Sequence, residues 1–137
     1  MEITTDQRDA IIERAIQVRS KAYAPYSGYA VGAALLTESG KIYDGVNVEN
    51  AAYPTSICAE RTAIFKAVSE GERSFSAIAV ATLNAGSPCG SCRQVMSEFG
   101  LDILVYMVNP EGEIREETTV RDLLPYAFQP SDLPGTE

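Results

Sequence analysis

The apolar residues Ile11, Ile12, Ala15, Ile16, Val18 and Ala22 recur at the spacing of a helix lying on a core. Thr4 with Gln7 three residues later predicts that helix's start as a capping box, and Pro25 is expected to end it. Residues 30–36 form an unbroken apolar run of strand length, Glu38-Ser39-Gly40 a turn, and 41–48 the returning strand of a hairpin. Residues 50–55 hold Pro54 and show no apolar period, so they predict a loop. A helix follows over 58–70, with Ala63, Ile64, Ala67 and Val68 inward and Gly71 as its stop. Residues 75–82 predict a mostly apolar strand, 84–88 a turn, and a further helix from Cys89 or Gly90 to near Gly100. A third apolar strand spans 102–108, and a more polar one at 114–119 suits a sheet edge. A short helix begins at Val120, and the tail 129–137, with Pro130 and Pro134, reads as loop. The order is helix, hairpin, then two strand-helix alternations around one mixed sheet, in a single domain over 1–137.

Composition narrows the function classes. A chain of 137 residues suits one core. Its formal net charge is −8 and no basic run interrupts the acidity, which argues against nucleic acid as a partner, because affinity for it rests largely on neutralising phosphates. Residues 1–23 mix acids and bases without the apolar core of a signal peptide, and the longest apolar stretches are too short to span a bilayer. A cytoplasmic protein is expected. Three cysteines cannot all pair within one chain, which fits reduced thiols rather than a disulfide framework.

Those cysteines are the chain's only soft metal ligands, since it has no histidine. They lie in Cys58-Ala59-Glu60 and Pro88-Cys89-Gly90-Ser91-Cys92, a Cys-x-x-Cys pair plus one distant thiolate. Three protein ligands leave a tetrahedral zinc ion with one position for water, which distinguishes catalytic from structural zinc. Both stretches are predicted to open helices, where backbone N–H groups and the helix dipole favour thiolate over thiol. Glu60, two residues after the first cysteine, is placed to move the protons of that water. Each motif alone has a plainer meaning. Cys58 suits a buried helix position, a lone Cys-x-x-Cys is equally a redox pair or a structural clip, and a glutamate in a first helical turn simply favours the dipole. A redox pair leaves Cys58-Ala59-Glu60 unexplained. A structural zinc site needs a fourth ligand, from an acidic residue or a partner chain.

The chain resembles the cytidine deaminases of the small, three-cysteine type. Zinc deaminases carry His-x-Glu and Pro-Cys-x-x-Cys, with the histidine replaceable by cysteine. The likeness extends through residues 22–27, 31–36, 47–53, 58–63 and 87–95, then Leu123-Leu124-Pro125 and Ala127-Phe128. It implies a three-layer α/β/α sandwich on a mixed, mostly parallel five-stranded sheet. It implies one zinc per subunit on Cys58, Cys89 and Cys92, with Glu60 as the catalytic proton carrier in converting cytidine and deoxycytidine to uridine and deoxyuridine plus ammonia, in pyrimidine salvage. Asn47 and Glu49 match residues that bond the ribose hydroxyls, and Ala59 one whose main chain meets the pyrimidine. Tyr29 stands where the family commonly has phenylalanine beside the substrate, a departure whose hydroxyl is expected to bear on sugar preference. Phe128, Ala51 and Tyr53 match residues that approach a neighbouring subunit's site, which implies a homotetramer with shared sites. Arg61 matches an arginine that donates to the cysteine sulfurs, and since three thiolates on one zinc ion carry an excess negative charge, Arg61 is expected to offset it.

Two other readings remain open at the level of sequence. A blasticidin-type aminonucleoside deaminase shares the zinc motif, although Asn47-Val48-Glu49-Asn50 and Ala127-Phe128 favour cytidine. A non-catalytic zinc module that builds an interface is the reading from another class, with Glu60 as a helix cap. The acidity disfavours a deaminase of polynucleotides.

Overall fold

The predicted capping box closes at both bonds. Thr4 Oγ1 accepts from the Gln7 amide at 3.0 Å and Gln7 Oε1 accepts from the Thr4 amide at 3.0 Å, starting α1 (Thr5–Val18). The computed structural model describes residues 3–135, so the outermost residues of the predicted domain and tail lie outside the described residues.

Helix α1 stops well before Pro25, at Val18, and one 3-10 turn follows over Arg19–Lys21. Tertiary bonds account for the early end. Arg19 Nε donates to the Ala30 carbonyl at 3.0 Å, and Tyr23 pairs with the chain at Val48, its amide donating to Asn47 O at 3.0 Å. That extended pairing takes the backbone the helix would have used.

Among the described residues the sheet has five strands: β1 (Gly32–Thr37), β2 (Ile42–Val46), β3 (Phe75–Ala81), β4 (Leu104–Val108) and β5 (Ile114–Thr119). Their order is β2-β1-β3-β4-β5. The sheet is mixed, as expected, but the expectation of a mostly parallel one is corrected: of the four pairings between these strands only that of β3 with β4 is parallel, and the other three are antiparallel. Connectivity gives the reason. The hairpins β1-β2 and β4-β5 are antiparallel by construction. The crossover through α2 (Ala59–Ser69) sets β2 and β3 running the same way, but β1 lies between them and opposes both. Only the crossover through α3 (Gly90–Phe99) joins neighbouring strands. The polar strand β5 sits at an edge, as its composition predicts.

Alternating strand residues feed two cores. Ala34, Leu36, Ala77, Ala79 and Val108 pack against Ile11, Ile12 and Ala15 of α1 on one face. Ala33, Leu35, Ile78, Val80 and Val105 pack against α2, α3 and α4 (Val120–Leu123) on the other. Helices on both faces of one sheet make the three-layer α/β/α sandwich. Helix α2 lies directly on the backbone of β2: a Cβ on Gly45 would stand 2.5 Å from the Ala63 nitrogen and 2.8 Å from the Ala59 carbonyl oxygen. This close approach sets the position of the helix entrance at Cys58. Among the described residues no helix is long and apolar enough to cross a membrane.

Candidate active site

Cys58 is the N-cap of α2 and Cys89 the N-cap of α3, each extended, with Cys92 in the first turn of α3. The two helix entrances bring the sulfurs together. Cys58 Sγ lies 3.8 Å from Cys89 Sγ, Cys89 Sγ lies 3.5 Å from Cys92 Sγ, and all three fall within 4.8 Å of one another. Tetrahedral zinc with Zn–S bonds of about 2.3 Å sets its sulfurs about 3.8 Å apart, so the donor set fits that ion. The three thiols are free cysteines.

Their protons are unevenly held. The bond from Cys92 brings the Cys58 thiol down to about 5, and Arg61 and Cys89 assist against the opposing effect of burial. Cys92 moves the other way, because it donates to Cys58, is buried, and faces the charge of Glu60. Binding zinc through all three sulfurs therefore requires the Cys92 proton to leave.

Glu60 occupies the first turn of α2 and is only 4% exposed. Burial pushes its carboxyl up to about 7 and the Cys58 thiolate adds to the rise, while its own backbone N–H and Arg61 pull the other way. A carboxyl poised near neutrality both takes and gives a proton. Arg61 Nη2 donates to Cys58 Sγ at 3.4 Å, and the sulfurs in turn raise the Arg61 guanidinium above its ordinary range. Its Nε is buried with no hydrogen-bond partner among the described residues.

A cavity of about 470 Å³ opens over this cluster. Of the residues singled out in the sequence, Tyr29, Asn47, Glu49, Tyr53, Cys58, Glu60, Arg61 and Cys89 line it. Ala59 is fully buried at the start of α2, outside that lining. Ala51 and Phe128 lie on the exposed surface, outside the cavity.

Two of the lining residues are already engaged by their own chain. The Asn47 side chain accepts from the Val31 amide at 2.9 Å and donates to the Tyr29 carbonyl at 2.8 Å. Glu49 Oε1 accepts from the amides of Tyr26 and Ser27 at 3.0 Å each, and Oε2 accepts from the Ser27 hydroxyl. Ser27 and Tyr26 hold this carboxyl below its ordinary range. Ser27 and Thr82 also line the cavity, beyond the residues the sequence predicts for the site. The available signals were Ser27's place two residues before Tyr29 and Thr82's at the end of a strand.

Comparison with known proteins agrees with this geometry. Residues 5–108 match the family model described as the cytidine and deoxycytidylate deaminase zinc-binding region. A cytidine deaminase of Sporosarcina psychrophila is 54% identical over 128 residues, covering 91% of this chain and 93% of that protein. One from Halalkalibacterium halodurans is 51% identical over 129 residues, with 92% and 97% coverage. Among solved structures, cytidine deaminase from Burkholderia pseudomallei superposes with a TM-score of 0.82 at 49% identity, covering 92% of this chain and 100% of that one. The matched region carries all the strands but β5, together with both cysteine stretches, and the chain belongs to the cytidine and deoxycytidylate deaminase family.

Proposed function

We propose that this protein is a zinc-dependent cytidine deaminase, converting cytidine and water to uridine and ammonia. The observation that carries this reading is the convergence of three cysteine sulfurs within 4.8 Å beside a 4% exposed glutamate, at one cavity. Zinc held by Cys58, Cys89 and Cys92 supplies Lewis-acid activation of water at neutral pH. Glu60 moves the protons: it takes one from the attacking water and delivers it to N3 of the pyrimidine as the water oxygen bonds C4, then takes the second from that oxygen and delivers it to the amine as the C4–N bond breaks, so that ammonia leaves and the C4 carbonyl of uridine remains. A carboxyl near 7 suits both transfers, since it is neither wholly charged nor wholly neutral at working pH. Arg61 donates to Cys58 and offsets the extra negative charge of the thiolates. Asn47 and Glu49 bond the ribose, Tyr29 walls the pocket beside the substrate, and the main chain at Ala59 meets the pyrimidine.

Burial also separates this reading from a non-catalytic zinc module. A glutamate that only caps a helix can stay in water, whereas Glu60 bears the cost of desolvation at the sulfur cluster. The same site serves deoxycytidine, and the reaction belongs to cytoplasmic pyrimidine salvage in a single-domain chain. The subunits form a homotetramer in which Phe128, Ala51 and Tyr53 reach a neighbour's site. In support, Tyr53 and Phe128 are 69% and 56% exposed, large apolar surfaces suited to a partner.

Incubating the zinc-loaded protein with cytidine and following uridine and ammonia tests the activity, with Glu60→Gln as control. Absence of turnover on cytidine and deoxycytidine by the zinc-loaded oligomer overturns it. Light scattering that returns an active monomer overturns the shared-site assembly.

A further inference from the structure

The Tyr29 hydroxyl does not point to a free place in the pocket. It donates to Asn84 Oδ1 at 2.6 Å, joining residues 55 apart in sequence. Asn84 Oδ1 is a double acceptor. The Gly86 amide donates to Thr82 Oγ1 at 2.6 Å, and because that oxygen is then an acceptor, its own hydrogen turns to Asn84 Oδ1, 3.3 Å away. The Tyr29 hydroxyl completes the chain from the opposite wall.

The fit around that hydroxyl is close. A Cβ on Gly86 would stand 2.5 Å from the Tyr29 oxygen, so a side chain there excludes the tyrosine's present position. The loop is also shaped for it: Ala85 takes the left-handed conformation with φ 54°, and Arg115 Nη1 from β5 donates to its carbonyl at 3.3 Å. On its own side Tyr29 is held by its backbone, with Asn47 bonding its carbonyl and Ser27 Oγ accepting from its amide at 3.0 Å. One side-chain bond thus links the wall that carries Asn47 and Glu49 to the loop that runs into Pro88 and Cys89.

We propose that Tyr29 and Asn84 form a latch across the pocket, positioning residues that hold the two walls at the separation a nucleoside needs. The inference rests on the nucleoside-deaminase reading above. It also replaces the sequence expectation that the Tyr29 hydroxyl bears on sugar preference: a hydroxyl already donating to Asn84 sets the pocket's width for either sugar.

The test is steady-state kinetics on cytidine and deoxycytidine for Tyr29→Phe, Asn84→Ala and the double variant. Each single variant raises KM for both nucleosides by the same factor, about three- to tenfold, the size of one net hydrogen bond, with kcat within about twofold. The double variant is no worse than either single, because the bond is lost only once. A changed ratio of the two KM values in Tyr29→Phe, a silent Asn84→Ala, or additive losses each overturn the latch. Hydrogen exchange at the Gly86 amide, measured without nucleoside, gives a readout independent of turnover. Tyr29→Phe accelerates that exchange, and an unchanged rate overturns the proposal. Wild-type protein that turns over neither nucleoside defeats the enzymatic reading instead, and the exchange measurement then decides the latch by itself.

Discussion

Arg61 Nη2 donates to Cys58 Sγ at 3.4 Å, so the residue three places into the Cys58-Ala59-Glu60-Arg61 run turns back on the first. The cation opposes the excess negative charge of three thiolates around a divalent ion. On the proposed reading its removal is expected to act first on metal retention. Arg61→Ala is expected to lower zinc affinity by about 10- to 100-fold in competition with a chelator, the range seen when groups bonded to metal ligands are removed, and to slow turnover. Full occupancy against the chelator together with full turnover contradicts the charge argument.

Glu60→Gln keeps the side chain's shape and removes its proton chemistry. The three sulfurs are unaltered, so the variant is expected to hold one zinc per subunit. Its kcat falls by about 10²- to 10⁴-fold, the usual contribution of a positioned acid-base group. Metal analysis and uridine formation measured on one preparation check both halves. A variant that keeps near-full kcat removes Glu60 from the proton path.

The same substitution has an opposite effect on stability in the presence of a strong chelator. The Glu60 carboxyl rises from its ordinary 4.5 to about 7 on folding, mainly through burial. Below pH 4.5 it is protonated in both states and adds no penalty. Between 4.5 and 7 the folded state holds a proton that the unfolded state has released, so stability falls as pH rises through that window. Above 7 the full cost is present, about 3 kcal/mol at about 1.4 kcal/mol per pH unit. Gln is neutral throughout, so the stability gap in favour of Glu60→Gln should widen by up to that amount between pH 4.5 and pH 8. Urea unfolding at the two pH values measures it, and a constant gap shows that the buried charge is not the cause.

What was readable in the sequence was what depends on neighbours along the chain. The Thr4–Gln7 capping box, the stop at Gly71 and the helix entrances at Cys58 and Cys89 each need only a few consecutive residues, and each appears where expected. The polar composition of β5 likewise marked it as an edge. Strand direction was not readable in this way, since it depends on β1 inserting between β2 and β3. Nor was the end of α1, which depends on Arg19 reaching Ala30 and on Tyr23 pairing with Val48. At the site, ligand spacing exposed the cysteines and Glu60. The bonds that occupy Glu49, Asn47 and Tyr29 join segments distant in sequence, and no local pattern encodes them.

Gly45 tests how strictly the fold positions the site. It lies on β2 under α2, where an added Cβ would meet the Ala63 nitrogen at 2.5 Å, the Ala59 carbonyl oxygen at 2.8 Å and Thr62 Cβ at 2.9 Å. Two of those atoms belong to helix backbone, so no rotamer change relieves the clash. Either β2 or α2 must shift, and α2 carries Glu60 in its first turn with Cys58 as its cap. Gly45→Ala is therefore expected to cost about 1–3 kcal/mol of stability, the usual range for overpacking, seen as a lower Tm. Because the helix entrance moves with the helix, kcat should fall even at temperatures where the variant is fully folded. The control is Gly40→Ala in the β1-β2 turn, where a Cβ meets nothing within 4 Å although φ is 90°. That change strains the backbone and lowers Tm, yet leaves α2 in place, so kcat in the folded range should stay near wild type. Equal losses of kcat in the two variants would show that general destabilisation, and not the seating of α2 on β2, governs the geometry at Glu60.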